Sequence, residues 1–115
     1  KLVSIPYAAD LNDSLLVSRN RAWELDYLLQ MCKDQFDRLY EEGAENGKVM
    51  CLALHPWVTG YPWRINYVDQ ILSYIMSHDG VWQTTADDIA EYYIANYYDQ
   101  TVAHMERIKQ SQGQS

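Results

Sequence analysis

Apolar and polar positions follow two different spacings along this chain. The opening "KLVSIPYAA" alternates apolar and polar residues and carries β-branched side chains, which predicts a short strand ending near Pro6 to Ala9. "DLNDS" then supplies turn and cap residues. From Ala22 to Glu42 the spacing changes: Leu25, Leu28, Leu29, Cys32, Phe36 and Leu39 recur at three and four, with Asp, Glu, Lys and Arg between them, the pattern of an amphipathic helix. Gly43 stands where a left-handed C-cap belongs, and Asn46-Gly47 marks a turn. "KVMCLALH" is continuously apolar, as a strand covered on both faces would be. A second helix is expected from Arg64 to Ser77, with Ile65, Val68, Ile71, Leu72, Ile75 and Met76 on one face and Gly80 as its cap. "VWQTT" reads as a third short strand. Thr85, with Asp88 three residues on, resembles a capping box and opens a third helix through Ile89, Tyr92 and Tyr93 past Tyr97. The closing "RIKQSQGQS" lacks apolar spacing and is expected to fray.

Strands alternating with helices imply right-handed crossovers and a parallel sheet, so the expected fold class is α/β. In such sheets function gathers in the loops beyond the carboxyl ends of the strands. Two unusual loops fall there, "DLND" and "HPWVTGYPWR".

Composition narrows the partners. The 115 residues suffice for about one domain, and 48% hydrophobic content with ten tyrosines and four tryptophans is ample for a core. A formal charge of −7 argues against a nucleic-acid surface, which needs clustered Lys and Arg. No apolar stretch is long enough to span a bilayer and no leader pattern opens the chain, so the expectation is a soluble, cytoplasmic protein without membrane contacts. Cys32 and Cys51 lie on an apolar helix face and in an apolar run; both read as small buried hydrophobes.

Among residues able to carry chemistry, His55 is the histidine that a parallel strand would deliver to the functional face. Imidazole titrates near neutrality and can give or take a proton during hydrolysis. The alternative is a satisfied histidine at a strand end. Pro56, Gly60 and Pro62 would stiffen and turn the loop behind it. Trp57 and Trp63 form either an aromatic wall around a ligand or a cover over the mouth of the barrel. Arg64 opens a helix, where a cation is unfavourable, so it is either a ligand contact or a plain surface arginine. Asn12 and Asp13 either orient substrate or cap the following segment. His78 suits a helix C-terminus and His104 a solvated tail; the histidine spacing offers no metal motif.

Taken together, "LALHPWVTGYPWRINYVDQILSYIMSHDGVWQTTADDIAEYY", with "SIPYAADLND" and "FDRLYEEG" ahead of it, resembles the C-terminal part of the polysaccharide deacetylase (NodB-homology) family. The resemblance covers roughly residues 2 to 95. It is closest to the branch with metal-independent allantoinases, cyclic imide hydrolases and peptidoglycan-deacetylase-like proteins. It implies that residues 1–98 are the C-terminal portion of a distorted (β/α) barrel, about three strand-helix units, followed by a polar tail at 99–115. It also implies hydrolysis of non-peptide C–N bonds, by deacetylating an amino sugar or opening a cyclic amide or ureide. His55 matches the family's general acid, with Asn12, Asp13, Trp57, Trp63 and Arg64 as pocket or substrate-binding residues. No cofactor is expected in this chain itself; in the complete enzyme a divalent metal such as zinc would be held by upstream residues. Tyr61 departs from the Arg or Gln expected between Gly60 and Pro62. A second reading, from another functional class, is a non-catalytic assembly or binding module that pairs with a missing N-terminal half or with itself.

Overall fold

The computed structural model describes residues 1–7, 9–19 and 25–113, with the backbone alone at 17–19. The described residues form helices α1 (Asp13–Arg19), α2 (Leu25–Gly43), α3 (Pro56–Thr59), α4 (Ile65–Met76), α5 (Ala86–Asn96) and α6 (Tyr98–Gln112). No sheet is present among them. The expected α/β fold, a barrel portion with parallel strands, is therefore corrected: the architecture is helical. None of the three segments read as strands forms a ladder among the described residues; one parallel bridge is present, between Asn12, in the loop after the first of them, and Ala53, within the second. The physical reason is that an apolar run specifies burial but not a partner. A parallel ladder needs neighbouring strands and covered faces, and here only one residue pair finds that register.

The chain divides into two compact units. One comprises Pro6–Val81. Its centre is the packing of α2 on α4, and the i, i+3, i+4 spacing of α2 explains it: Leu25, Leu28, Cys32 and Phe36 are buried on one stripe. Leu25, Leu28, Cys32, Ile71 of α4 and Leu11 form the innermost cluster, with Leu16, Leu29, Met31, Met50, Leu52, Tyr67 and Ile75 against it. Each fully buried Leu or Ile contributes about 1.5–3 kcal/mol. Polar contacts lock the helix pair at its rim: the Tyr74 hydroxyl donates to Asp37 at 2.7 Å, and the Tyr40 hydroxyl donates to the Asp79 carbonyl at 2.8 Å. Accepting carboxylates raise both Tyr67, beside Asp26, and Tyr74, beside Asp37, above the ordinary tyrosine range. His78 sits among the rings of Phe36, Tyr40 and Tyr74 and donates from Nδ1 to the Tyr74 carbonyl at 2.8 Å, which satisfies it within the end of the helix.

The other unit comprises Lys1–Ile5 with Trp82–Ser115. Thr85 caps α5 as its sequence suggests, its hydroxyl accepting the Asp88 amide at 3.2 Å. Neither α5 nor α6 contains a buried residue, although Trp82 stacks edge-on against Tyr92. The segment expected to fray is helical through Gln112. Its Arg, Lys and Gln residues are good helix formers, and helix formation does not require apolar spacing. The predicted start of α2 at Ala22 falls outside the described residues, as do Ala8 at the end of the first expected strand and the last two residues of the expected frayed end. No described helix is long and apolar enough to cross a membrane.

Candidate functional site

The site grows from two loops brought side by side by the parallel bridge. The Ala53 amide donates to the Leu11 carbonyl at 2.9 Å, and the Asp13 amide donates to the Ala53 carbonyl at 3.1 Å. Asn12 sits between those two bonds, 6% exposed, and it is the N-cap of α1. Its Oδ1 accepts from the Ser14 amide at 3.1 Å and the Ser14 hydroxyl at 2.8 Å, and its carbonyl accepts the Leu16 amide at 3.1 Å. Capping fixes how α1 leaves the bridge, and so where Asp13, its first residue, is aimed.

Asp13 has no exposed surface. Its Oδ1 lies 2.6 Å from Nδ1 of His55, its Oδ2 accepts the His55 backbone amide at 2.8 Å, and the same Oδ2 accepts the Thr59 hydroxyl at 2.8 Å. A carboxylate only accepts, so the proton of that short contact belongs on the imidazole. A buried charge is tolerable when several donors replace its lost water, and three converge here. The ring of His55 is thereby fixed with Nδ1 inward. Nε2 has no hydrogen-bond partner among the described residues, and the side chain is 24% exposed.

The stiff loop after His55 is the one-turn helix α3. His55 is its N-cap in an extended conformation (φ −120°, ψ 127°), and Pro56 occupies the first turn, where a missing N–H costs nothing. The His55 side chain does not cap its own helix, which leaves it available to Asp13. The His55 carbonyl accepts the amides of Val58 at 2.9 Å and Thr59 at 3.1 Å, and Gly60 closes the turn by donating to the Pro56 carbonyl at 3.1 Å. A Cβ on Gly60 would stand 2.5 Å from that carbonyl oxygen, so the turn closes this tightly only without a side chain.

The remaining candidates surround α3 in different ways. Trp57 is 67% exposed, with its ring 4.9 Å from that of His55. Trp63 is 60% exposed and stacks on Tyr61. Arg64 is buried: it donates to the Val58 carbonyl at 2.8 Å, and its guanidinium lies 4.0 Å from the centre of the Trp63 ring. The loop thus gathers His55, Asp13 and Thr59 below and an open aromatic face above. Thr59 had no signal in composition. Its position four residues after His55, with proline between them, is the spacing that places it under the same carboxylate.

The chain is similar to a protein of Schizosaccharomyces pombe named "Putative polysaccharide deacetylase". The two are 33% identical over 97 residues, which is 84% of this chain and 30% of that protein, so the chain spans less than a third of its curated relative. The match supports the polysaccharide deacetylase family and goes no further into its branches. No family model and no solved structure matches.

Proposed function

We propose that this chain carries the proton-donating part of a deacetylase-like hydrolase of non-peptide C–N bonds, with His55 as general acid and Asp13 as its positioning residue. The observation that carries the reading is the 2.6 Å contact between a fully buried carboxylate and one face of a partly exposed imidazole. A ring held at Nδ1 presents Nε2 in a fixed direction. Its imidazolium is also stabilised by the adjacent negative charge, the division of labour seen in carboxylate-histidine pairs. Water attacks the amide carbonyl, the C–N bond breaks, and the proton on Nε2 passes to the departing nitrogen. The group that activates the water is assigned to residues outside this chain.

The candidate substrates are an N-acetylated amino sugar and a cyclic amide or ureide; Trp57, Trp63 and Arg64 with its loop are the proposed contacts, and Asn12 shapes the turn behind them. Among the described residues no three His, Cys, Asp or Glu side chains converge on a point that would hold a metal ion, and both Asp13 oxygens are engaged. The described residues thus do not fit a zinc centre; a zinc of the complete enzyme would draw its ligands from other residues. Replacing His55 by Ala in the complete protein should lower turnover about 10²–10⁴-fold on N-acetylated oligosaccharide or on a cyclic ureide, whichever is turned over. Near-normal turnover on the better substrate would sink the assignment.

A second reading has its own support. Helices α5 and α6 contain no fully buried residue while Trp82, Met105 and Ile108 lie exposed, which fits a chain that assembles with a further segment or with a copy of itself. Light scattering after size exclusion separates the cases, a clean monomer counting against assembly.

A further inference from the structure

The hydroxyl under Asp13 has no place in the scheme above, and its geometry asks for one. Thr59 is 2% exposed, and its Oγ1 is 2.8 Å from Asp13 Oδ2, on the oxygen opposite the one that meets the imidazole. A carboxylate oxygen held by a single donor can still swing about the Cβ–Cγ bond, because terminal torsions of this kind are broad. A second donor on the same oxygen narrows that swing. The backbone amide of His55 supplies one anchor on Oδ2 and the Thr59 hydroxyl the second, each at 2.8 Å. That second anchor exists only because α3 makes one tight turn. The Thr59 amide donates to the His55 carbonyl, and Gly60 closes the turn where no Cβ fits.

We propose that Thr59 is a positioning residue that locks the rotation of the Asp13 carboxylate and, through it, the direction of the His55 ring. The inference rests on the reading of His55 as general acid for its catalytic meaning, but not for its geometry. Removing the hydroxyl with Thr59→Val keeps the volume and leaves Oδ2 with one donor. Thr59→Ser keeps the donor and loses a methyl group.

The readout is the His55 Nδ1 proton, followed by nitrogen-resolved NMR of the whole chain. In the unaltered protein this proton, held against a buried carboxylate, should give a slowly exchanging downfield resonance. Thr59→Val should exchange it about tenfold faster, the factor expected when one hydrogen bond of ordinary net strength is lost from the network. Thr59→Ser should stay within about twofold of the parent, the residual set by packing alone. Unchanged exchange in Thr59→Val overturns the proposal, as does equal acceleration in both variants, which would mean that only packing matters. Should Thr59→Val fail to fold, the unaltered chain decides. The Thr59 hydroxyl proton must then appear as a protected resonance with a cross-peak to the His55 amide proton, since both point at Oδ2; a hydroxyl exchanging at the solvent rate would refute it. In the complete enzyme, Thr59→Val should lower kcat with KM little changed, and Thr59→Ser should restore it. A His55→Ala enzyme of normal turnover would remove the general-acid reading and leave the exchange result standing, so the two failures are distinguishable.

Discussion

Replacing Asp13 by Ala removes the acceptor on which three donors converge, and the cost follows from what is left behind. The Thr59 hydroxyl is buried, the His55 amide is anchored in the loop, and the His55 ring loses the partner of Nδ1. A buried donor left without a partner costs about 1–3 kcal/mol. Two such donors, with the ring relieved in part by solvent because the His55 side chain is 24% exposed, put the loss at about 2–5 kcal/mol. Urea unfolding followed by circular dichroism measures it, provided the denaturant slope is unchanged. The network makes a sharper statement than the single variant. In a Thr59→Val background one of the stranded donors is already gone, so Asp13→Ala should cost about 1–2 kcal/mol less there, a coupling of the size found between contacting residues. A loss below about 1 kcal/mol for Asp13→Ala, or strict additivity with Thr59→Val, would refute the view that the buried carboxylate organises this loop.

Other outcomes follow from single contacts. Gly60→Ala must move the Pro56 carbonyl or open the turn, and should cost about 1–3 kcal/mol and loosen protection of the Gly60 amide. Burial pushes the Cys32 thiol up to about 11 from 9.0, so near pH 8 a thiol reagent should modify half-buried Cys51 first and reach Cys32 only on unfolding; equal rates would contradict the packing. The same shift means that the folded chain keeps a proton that the unfolded chain releases, so stability is full below about pH 9 and declines as the pH rises toward 11, which unfolding curves across that range would show. Thr85→Ala should cost about 0.5–2 kcal/mol of α5 stability, read as loss of helical circular dichroism. Asp88, lowered first by the Thr84 hydroxyl, contributes to that cap above the ordinary carboxylate range and gives the contribution up as pH falls through its lowered value; a cap insensitive to acid would argue against it.

The helices were legible because their periodicity is local. Leu25, Leu28, Cys32 and Phe36 name the face of α2 that is buried, and Thr85 with Asp88 names the start of α5. The strands were not, because "KVMCLALH" is equally apolar whether or not a ladder forms, and pairing depends on a partner that no window of sequence contains. α6 escaped for the opposite reason: its stripe is too polar to announce burial, and it buries none. In the site, His55 and its stiff loop could be singled out from proline and glycine spacing. Asp13 could be located but not given its role, since the residue it meets lies 42 positions away. Arg64 looked misplaced at a helix start; its hydrogen bond to Val58 and its stacking on Trp63 are tertiary facts that dipole reasoning omits.

That long separation also has a consequence for how the molecule fails. Closing the loop between the two partners is an entropic debt settled only when the whole Pro6–Val81 unit is formed, whereas a turn of α2 needs only its neighbours. On gentle heating the Asp13–His55 contact should therefore come apart while much of the helical signal survives, and the His55 Nδ1 proton will report the integrity of the fold earlier than ellipticity does.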